Sequence, residues 1–373
     1  MNPRFRLIKW LSLIFLPILL GLGLMVSAVA GIALADGDDE GTSIQDIEPE
    51  TDEASDLGED DLDSALSIPY ARIISDDVEV YAHPRQARLG RPPLRVLQPG
   101  FVFVSLEHSE PITYENQVWY QINPGEYVRA EHLALIAPSG FEGITISTPP
   151  RYPFGWIIRE TPILSSPNIS PTAHPKYLSR YERVVIYETD YSGGGWGWRR
   201  IGPEAWVNLY DIGMVTPLSR PTEIPPHQKW VAIDLFEQTL AAYDEHDRMI
   251  YATLISSGRL TPGWETPEGI FRIQSKVKRA KMSGGGRMDY YFLEDVTQSM
   301  YFTQSYALHA AYWHDDFGRY KSHGCINMSP RDAHWMFDWS TPAVSAYGNE
   351  TEASDEDPGT WLWVHGGTTF LRQ

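Results

Sequence analysis

The sequence contains a single cysteine, Cys325, among its 373 residues. One cysteine excludes an internal disulfide. The thiol is therefore either buried and inert, as free cysteines commonly are, or retained for its reactivity. The count alone favours an inert thiol, so the residues around Cys325 must decide between the two.

Basic residues are also scarce, with 30 Lys and Arg against 49 Asp and Glu, for a formal charge of −19. Residues 36–63 alone hold fourteen carboxylates and no Lys or Arg, and without them the charge is −5. Nothing here indicates the basic face of a nucleic-acid-binding protein, so no nucleic-acid partner is expected. Residues 36–67 also lack aromatic side chains, which predicts an acidic disordered linker.

The first 35 residues have the pattern of an export segment. Arg4, Arg6 and Lys9 precede an uncharged apolar run from Trp10 to Ala35. This order is typical of a secretory signal peptide, yet the run also exceeds the roughly 20 residues that span a bilayer as a helix. A cleaved signal and a retained membrane anchor both remain open. In either case the rest of the chain is expected outside the cytoplasm, with membrane contact only through this segment.

Two β-rich stretches follow, at residues 68–138 and 144–218. Short runs of Val, Ile, Tyr and Phe between Pro, Gly and Asn predict strands in both. Trp119–Val128 aligns without gaps with Trp198–Val207. This repeat predicts two tandem β-barrels similar to bacterial SH3-like modules, with Trp119 and Trp198 in their cores. Whether such modules bind the cell wall remains open.

A Pro-rich linker is predicted at residues 219–227, before a third domain at residues 228–367. Val231, Ile233 and Leu235 alternate with other residues, which predicts the first strand of an antiparallel meander. The sequence from Ser329 to Asp332 predicts a helix start, with Cys325 about one turn ahead of its amino end. The acidic residues 345–359 are predicted to lack regular structure.

The sequence Ser322-His323-Gly324-Cys325-Ile326-Asn327 surrounds the lone thiol. A thiol attacks as the thiolate, so a nucleophilic cysteine needs a base or a positive field. His309, sixteen positions upstream, is the candidate base that accepts the thiol proton and later returns it to the leaving amine. Gly324 allows close approach of a substrate and can aim the Cys325 amide at a developing oxyanion.

These motifs resemble the L,D-transpeptidase catalytic domain family (YkuD-like) over about residues 228–366. The resemblance implies a mixed β-sandwich that requires no cofactor, in which Cys325 forms a thioester with a peptidoglycan stem peptide and His309 is the proton donor and acceptor. An amine of a neighbouring stem then resolves the thioester. The resemblance also implies supporting roles at the site for the Ala310 carbonyl, which orients the imidazole, and for His323, Ser322 and Asn327, which shape or line the pocket. For Trp313, stacking against the substrate and a position covering the core both remain open.

The predicted fold is therefore mainly β: two small SH3-like barrels and a mixed β-sandwich with a short helix after Cys325. The predicted function is that of an exported enzyme that cross-links peptidoglycan. Two alternatives remain, an L,D-carboxypeptidase that uses water as acceptor and a non-catalytic scaffold that binds the wall. His314-Asp315-Asp316 matches no common zinc spacing, so no metal is expected.

Overall fold

The computed structural model describes residues 67–171, 174–191, 197–286 and 289–367. These residues lie in one compact unit. The predicted export segment and nearly all of the predicted acidic linker lie outside the described residues. Within the described ranges, no helix has the length and apolar character needed to cross a membrane. The chain is mainly β, with short helices, as the sequence predicted.

Eight strands and one α-helix form the first β-rich stretch. The helix α1 (Pro84–Arg88) lies between the second and third strands. The strands are β1 (Tyr70–Ile73), β2 (Val78–Val80), β3 (Arg95–Leu97), β4 (Phe101–Ser105), β5 (Ile112–Tyr114), β6 (Gln117–Asn123), β7 (Glu126–Arg129) and β8 (Leu133–Ile136). Strand β1 pairs antiparallel with both β4 and β8. A 3₁₀ turn at Ala130–His132 connects β7 to β8.

The second stretch contributes nine strands. They are β9 (Ile144–Thr145), β10 (Phe154–Ile157), β11 (Thr161–Pro162), β12 (Tyr177–Leu178), β13 (Arg183–Val185), β14 (Glu188–Asp190), β15 (Trp198–Gly202), β16 (Ala205–Asn208) and β17 (Ile212–Val215). Strand β10 pairs antiparallel with β13 and β17. A 3₁₀ turn at Leu209–Asp211 connects β16 to β17.

The aligned segments of the two stretches form the same hairpin. In β6 and β7, Trp119 pairs with Arg129, and in β15 and β16, Trp198 pairs with Asn208. Each hairpin has a register shift at the corresponding place, and each is followed by a 3₁₀ turn and one more strand. This agrees with the predicted duplication. The SH3-like architecture and the domain boundaries stay predictions.

The two tryptophans differ in burial. Trp119 is fully buried, as predicted. Trp198 is only partly buried, and its indole N–H donates to Asn168 Oδ1 at 3.0 Å. The prediction of a core position is therefore wrong for Trp198, because a polar partner near the surface satisfies its indole.

The third stretch contains ten strands and α2 (Pro330–Trp339). The strands are β18 (Trp230–Asp234), β19 (Thr239–Tyr243), β20 (Met249–Leu254), β21 (Gly269–Arg272), β22 (Ser275–Gly284), β23 (Tyr291–Thr303), β24 (Tyr306–Ala310), β25 (Ile326–Met328), β26 (Glu350–Glu352) and β27 (Trp361–His365). Strands β18, β19 and β20 form the predicted antiparallel meander. Strand β26 lies within residues 345–359 and pairs with β22, so the prediction of no regular structure there is wrong.

Two large sheets organise this stretch. One has the order β21-β27-β18-β19-β20-β9. The other runs β25-β24-β23-β4-β1-β8, with β22 paired to β23. The second sheet therefore includes strands from the first stretch of the chain, joined through the parallel pairing of β4 with β23.

The meander is buried on both of its faces. Val231 and Ile233 lie in a core cluster with side chains of β23, β24, β25 and α2. Trp230 and Ala232 point to the opposite face, into a second cluster that includes Phe154. Because successive side chains of a strand alternate in direction, each strand of the meander contributes to both cores. The sheet is therefore fixed from both sides.

Helix α2 begins as predicted. The hydroxyl of Ser329 accepts a hydrogen bond from Asp332 N–H at 3.1 Å, and Pro330 occupies the first turn. The Asp332 carboxylate is fully buried and also accepts from Gly143 N–H and from the Tyr251 hydroxyl, each at 2.7 Å. These bonds fix the start of the helix that follows the cysteine segment.

Candidate active site

Cys325 lies immediately before β25, which pairs in parallel with β24. His309 is paired with Asn327, and Leu308 with Ile326. Extending this register by one residue places Cys325 beside Ala307, whose backbone forms a hydrogen bond with the thiol. Side chains two residues apart on a strand share a face, so Cys325 and His309 are diagonal neighbours on one face of the sheet.

The imidazole of His309 is buried, with 2% of the residue exposed. Its Nδ1 lies 3.1 Å from the Ala310 carbonyl oxygen. A carbonyl only accepts hydrogen bonds, so Nδ1 carries the proton and Nε2 has the free lone pair. Burial lowers the pKa of His309 to about 4, although the bond to Ala310 acts in the opposite direction. At neutral pH the ring is therefore uncharged and able to accept a proton at Nε2.

The thiol of Cys325 is partly exposed. Its Sγ lies 3.7 Å from the Ser305 carbonyl oxygen. Desolvation raises the pKa of Cys325, and the hydrogen bond from the Ala307 backbone opposes that effect. The resting pair is thus a protonated thiol and a neutral imidazole.

The expected position of Cys325 one turn ahead of the helix is wrong. Residues Ile326–Met328 form strand β25, so an extended segment separates the thiol from the amino end of α2. The helix dipole falls off within about one turn of the helix end. The groups around His309 and Ala307, rather than the helix, set the state of the thiol.

A tight turn precedes the cysteine. Gly324 has φ +126°, and a Cβ at this position would lie 2.3 Å from Tyr306 Cε1. The Ser322 hydroxyl donates to the Cys325 carbonyl oxygen and accepts from Gly324 N–H at 2.9 Å. Thr266 Oγ1 donates to the Gly324 carbonyl at 2.7 Å. Only glycine fits at position 324, and Ser322 closes the turn that presents the cysteine.

His323 was predicted as a supporting residue. Among the described residues, it has no hydrogen bond with Cys325. Its exposed ring stacks on Tyr291 with centroids 5.3 Å apart, and it meets the edge of Trp264 at 4.0 Å. Burial, followed by the charge of Arg259, lowers the pKa of His323. The residue therefore belongs to an aromatic wall beside the thiol.

Tyr291 and Tyr301 were not predicted from the sequence as residues of the site. Burial raises the pKa of both phenols, and the charge of Cys325 adds to the effect in each. Both lie on β23, and β4 pairs with this strand at Tyr291, opposite Phe101. Aromatic residues in a strand carry no sequence signal for a site, since they are equally typical of a core.

Asn327 and Trp313 both lie near His309. Asn327 is buried and directly opposite His309 in the β24–β25 register. The Trp313 ring centroid is 5.7 Å from that of His309, and the side chain is half-buried against Tyr312. His314, which received no site role from the sequence, contacts Asn327, with 2.8 Å between His314 Nε2 and Asn327 Nδ2. The described residues contain no group of three or more His, Cys, Asp or Glu side chains able to hold a metal ion.

Cys325 and the neutral His309 lie on one sheet face, and a glycine turn precedes the cysteine; together they form a candidate site for nucleophilic catalysis. Residues 228–362 match the family model described as the L,D-transpeptidase catalytic domain, over about a third of the chain. The resemblance seen in the sequence is confirmed for these residues.

Several solved structures resemble the chain. A mutant L,D-transpeptidase of Enterococcus faecium is 23% identical over 38% of this chain and 50% of its own, with a TM-score of 0.30. An L,D-transpeptidase of Mycobacterium smegmatis is 18% identical over 55% of this chain and 99% of its own, also at 0.30. An L,D-transpeptidase of Xylanimonas cellulosilytica is 24% identical over 39% of this chain and 65% of its own, with a TM-score of 0.26. The chain thus spans about half the length of the Enterococcus protein. A comparison with curated proteins found no match.

Proposed function

We propose that the chain is an exported L,D-transpeptidase that cross-links peptidoglycan. The observation that carries the proposal is the arrangement of Cys325 and His309 on one sheet face, with the His309 Nδ1 proton committed to the Ala310 carbonyl. The family match of residues 228–362 supports the substrate class. The apolar run at residues 10–35 supports export.

In the first half of the reaction, Nε2 of neutral His309 accepts the thiol proton as Cys325 Sγ attacks the carbonyl carbon of the donor stem. The bond attacked joins the L-centre of the third stem residue to D-alanine. The Cys325 backbone N–H is the donor proposed for the oxyanion, because Gly324 N–H already donates to the Ser322 hydroxyl. His309 then protonates the leaving D-alanine amine, which leaves a thioester on Cys325.

In the second half, an amine of a neighbouring stem attacks the thioester carbonyl. His309 accepts a proton from that amine, and the sulfur leaves and recovers a proton. The new amide is the cross-link. If water attacks instead, the same intermediate gives a shortened stem, which is the carboxypeptidase alternative.

The acceptor is identified by the products formed from a defined tetrapeptide stem. Transpeptidation predicts dimers joined through the third residue, whereas hydrolysis predicts only tripeptide monomers. Mass analysis of the products distinguishes the two. A full chain that gives neither product, with stem peptide unchanged, contradicts the proposal.

The nucleophile is tested with a carbapenem, a substrate mimic suggested by the family resemblance. Intact-mass spectrometry is expected to show one adduct on the wild-type chain and none on Cys325→Ala. His309→Gln is expected to slow adduct formation by about 100-fold or more, in line with general base catalysis. His246→Gln, at a largely exposed histidine, serves as the matched control and should react like the wild type. An equal adduct on Cys325→Ala would refute the assignment.

A further inference from the structure

Two nitrogen atoms, His314 Nε2 and Asn327 Nδ2, face each other, and both carry hydrogen. Asp316 N–H donates to His314 Nδ1 at 3.2 Å, so Nδ1 has the lone pair and the ring proton is on Nε2. His314 Nε2 lies 2.8 Å from Asn327 Nδ2. Two N–H groups that face each other form no hydrogen bond. The Asn327 Oδ1 atom is meanwhile buried and has no hydrogen-bond partner among the described residues.

Turning the Asn327 amide through 180° removes this conflict. Nε2–H of His314 then donates to the Asn327 carbonyl oxygen, and the NH₂ group takes the opposite end. The two ends of an amide are assigned from the hydrogen-bond network, so the donor at His314 fixes the choice. Burial lowers the pKa of His314 to about 4, so the ring is neutral at pH 7 and Nδ1 is able to accept from Asp316 N–H.

The backbone on both sides of this contact is fixed. Asn327 exchanges two backbone hydrogen bonds with Ser256, each at 2.9 Å. Ser256 Oγ also donates at 2.9 Å to the carbonyl of Asp316, the same residue whose N–H donates to His314. Lys321 forms an ion pair with the Asp316 carboxylate at 2.5 Å. His314 therefore has little freedom to move away from Asn327.

Two residues of the second β-rich stretch, Arg180 and Tyr181, contact the loop that carries His314. The Tyr181 hydroxyl donates to Asp315 Oδ1 at 2.9 Å and accepts from Phe317 N–H at 3.3 Å. Arg180 pairs with the Asp315 carboxylate at 3.2 Å. These contacts are at Asp315 and Phe317, which both follow His314 in the chain. They connect residues 180 and 181 to the loop that carries it.

We propose that His314 is a positioning residue, whose Nε2–H donates to the Asn327 amide oxygen and fixes the orientation of the Asn327 side chain. Asn327 is directly opposite His309 in the register, so its amide is next to the reacting pair. Loss of the fixed Asn327 orientation is therefore expected to disturb the packing beside His309 and to slow acylation. This catalytic consequence rests on the proposed transpeptidase function, whereas the hydrogen bond itself does not.

The hydrogen bond is tested by nitrogen-15 NMR of the full chain. Long-range spectra of the histidine rings are expected to show His314 as the Nε2–H tautomer at pH 7. The Asn327 NH₂ signals are expected to shift in His314→Phe, which keeps the packing on Phe317 but removes the donor. An Nδ1–H tautomer for His314, or Asn327 signals unchanged in this variant, would overturn the proposal whatever the enzyme's activity.

The consequence is tested by the rate of Cys325 acylation with a carbapenem. His314→Phe is expected to lower the rate by about 10-fold or more, and His314→Gln, which restores an N–H donor, to recover most of it. His108→Phe, at an exposed histidine, is the matched control for the substitution itself. Equal losses in His314→Phe and His314→Gln would assign His314 a purely structural role. A wild-type chain that forms no adduct would instead count against the proposed function, and NMR would still decide the hydrogen bond.

Discussion

The resting state of the Cys325–His309 pair leads to a specific prediction for the pH dependence of thiol reactivity. A pKa of about 4 for His309 means that about one ring in 1,000 is protonated at pH 7. Compared with an ordinary histidine near 6.5, burial favours the neutral ring by roughly 3 kcal/mol. The pKa of Cys325 is raised by desolvation. A preformed thiolate–imidazolium pair is therefore disfavoured from both sides.

Alkylation by iodoacetamide measures the thiolate directly, and the single cysteine makes the site of reaction unambiguous. We expect the rate to rise with pH as one alkaline ionisation, with no plateau between pH 5 and 7. His309→Gln should alkylate at nearly the wild-type rate at pH 7, since the histidine does not hold a resting thiolate. A plateau in the wild type that disappears in His309→Gln would refute this reasoning.

The same two groups determine the pH profile of acylation. His309 acts as a base only when neutral, so kcat/KM for acylation should stay level as pH falls and decline only near pH 4. Because burial lowers the pKa of His309, the fall of kcat/KM on the acid side of the profile should occur below the pKa of an ordinary imidazole. A limb near pH 6.5 would indicate a solvated base and contradict the assignment.

Three further variants test particular contacts. Gly324→Ala places a Cβ 2.3 Å from Tyr306 Cε1 at a φ of +126°, so it should lower the melting temperature as well as the acylation rate, the latter by about 100-fold measured by intact mass. Asp332→Ala leaves buried donors without an acceptor and should cost about 3 kcal/mol in urea unfolding, against a small change for the exposed Asp355→Ala. Burial raises the pKa of Glu294 to about 7, so its charge destabilises the fold as pH rises above its ordinary 4.5. Glu294→Gln should therefore stabilise by up to about 3 kcal/mol at pH 8 and little at pH 4, and an equal gain at both would contradict the burial argument.

The sequence predicted the parts of the fold that depend on local pattern. The alternation of Val231, Ile233 and Leu235 predicted a strand of the meander, and the residues from Ser329 to Asp332 predicted the start of α2. The pairing of β4 with β23 was not predictable, because it joins residues almost 200 positions apart and depends on tertiary packing. Strand β26 was missed for the same reason, since it is an acidic segment stabilised by its neighbour β22.

Some residues of the candidate site could be predicted from the sequence, and others could not. Cys325, His309 and Gly324 were found because each carries reactive or conformational chemistry that is visible in the residue type. Tyr291 was not assigned to the site, since a tyrosine in a strand is equally typical of a core. His314 was considered only for a metal site. Its contact with Asn327 depends on the path of the loop from Trp313 to Lys321, which spacing alone does not define.

The central claim is that Cys325 carries the acyl group, with His309 as its base. The most direct measurement is rapid quenching of the full chain with a defined tetrapeptide stem, followed by intact-mass spectrometry. We expect a mass increase equal to the stem without its terminal D-alanine, located on Cys325 and absent from Cys325→Ala. The increase should form far more slowly in His309→Gln. Release of D-alanine by the wild type with no covalent intermediate, or an equal release by Cys325→Ala, would contradict the account.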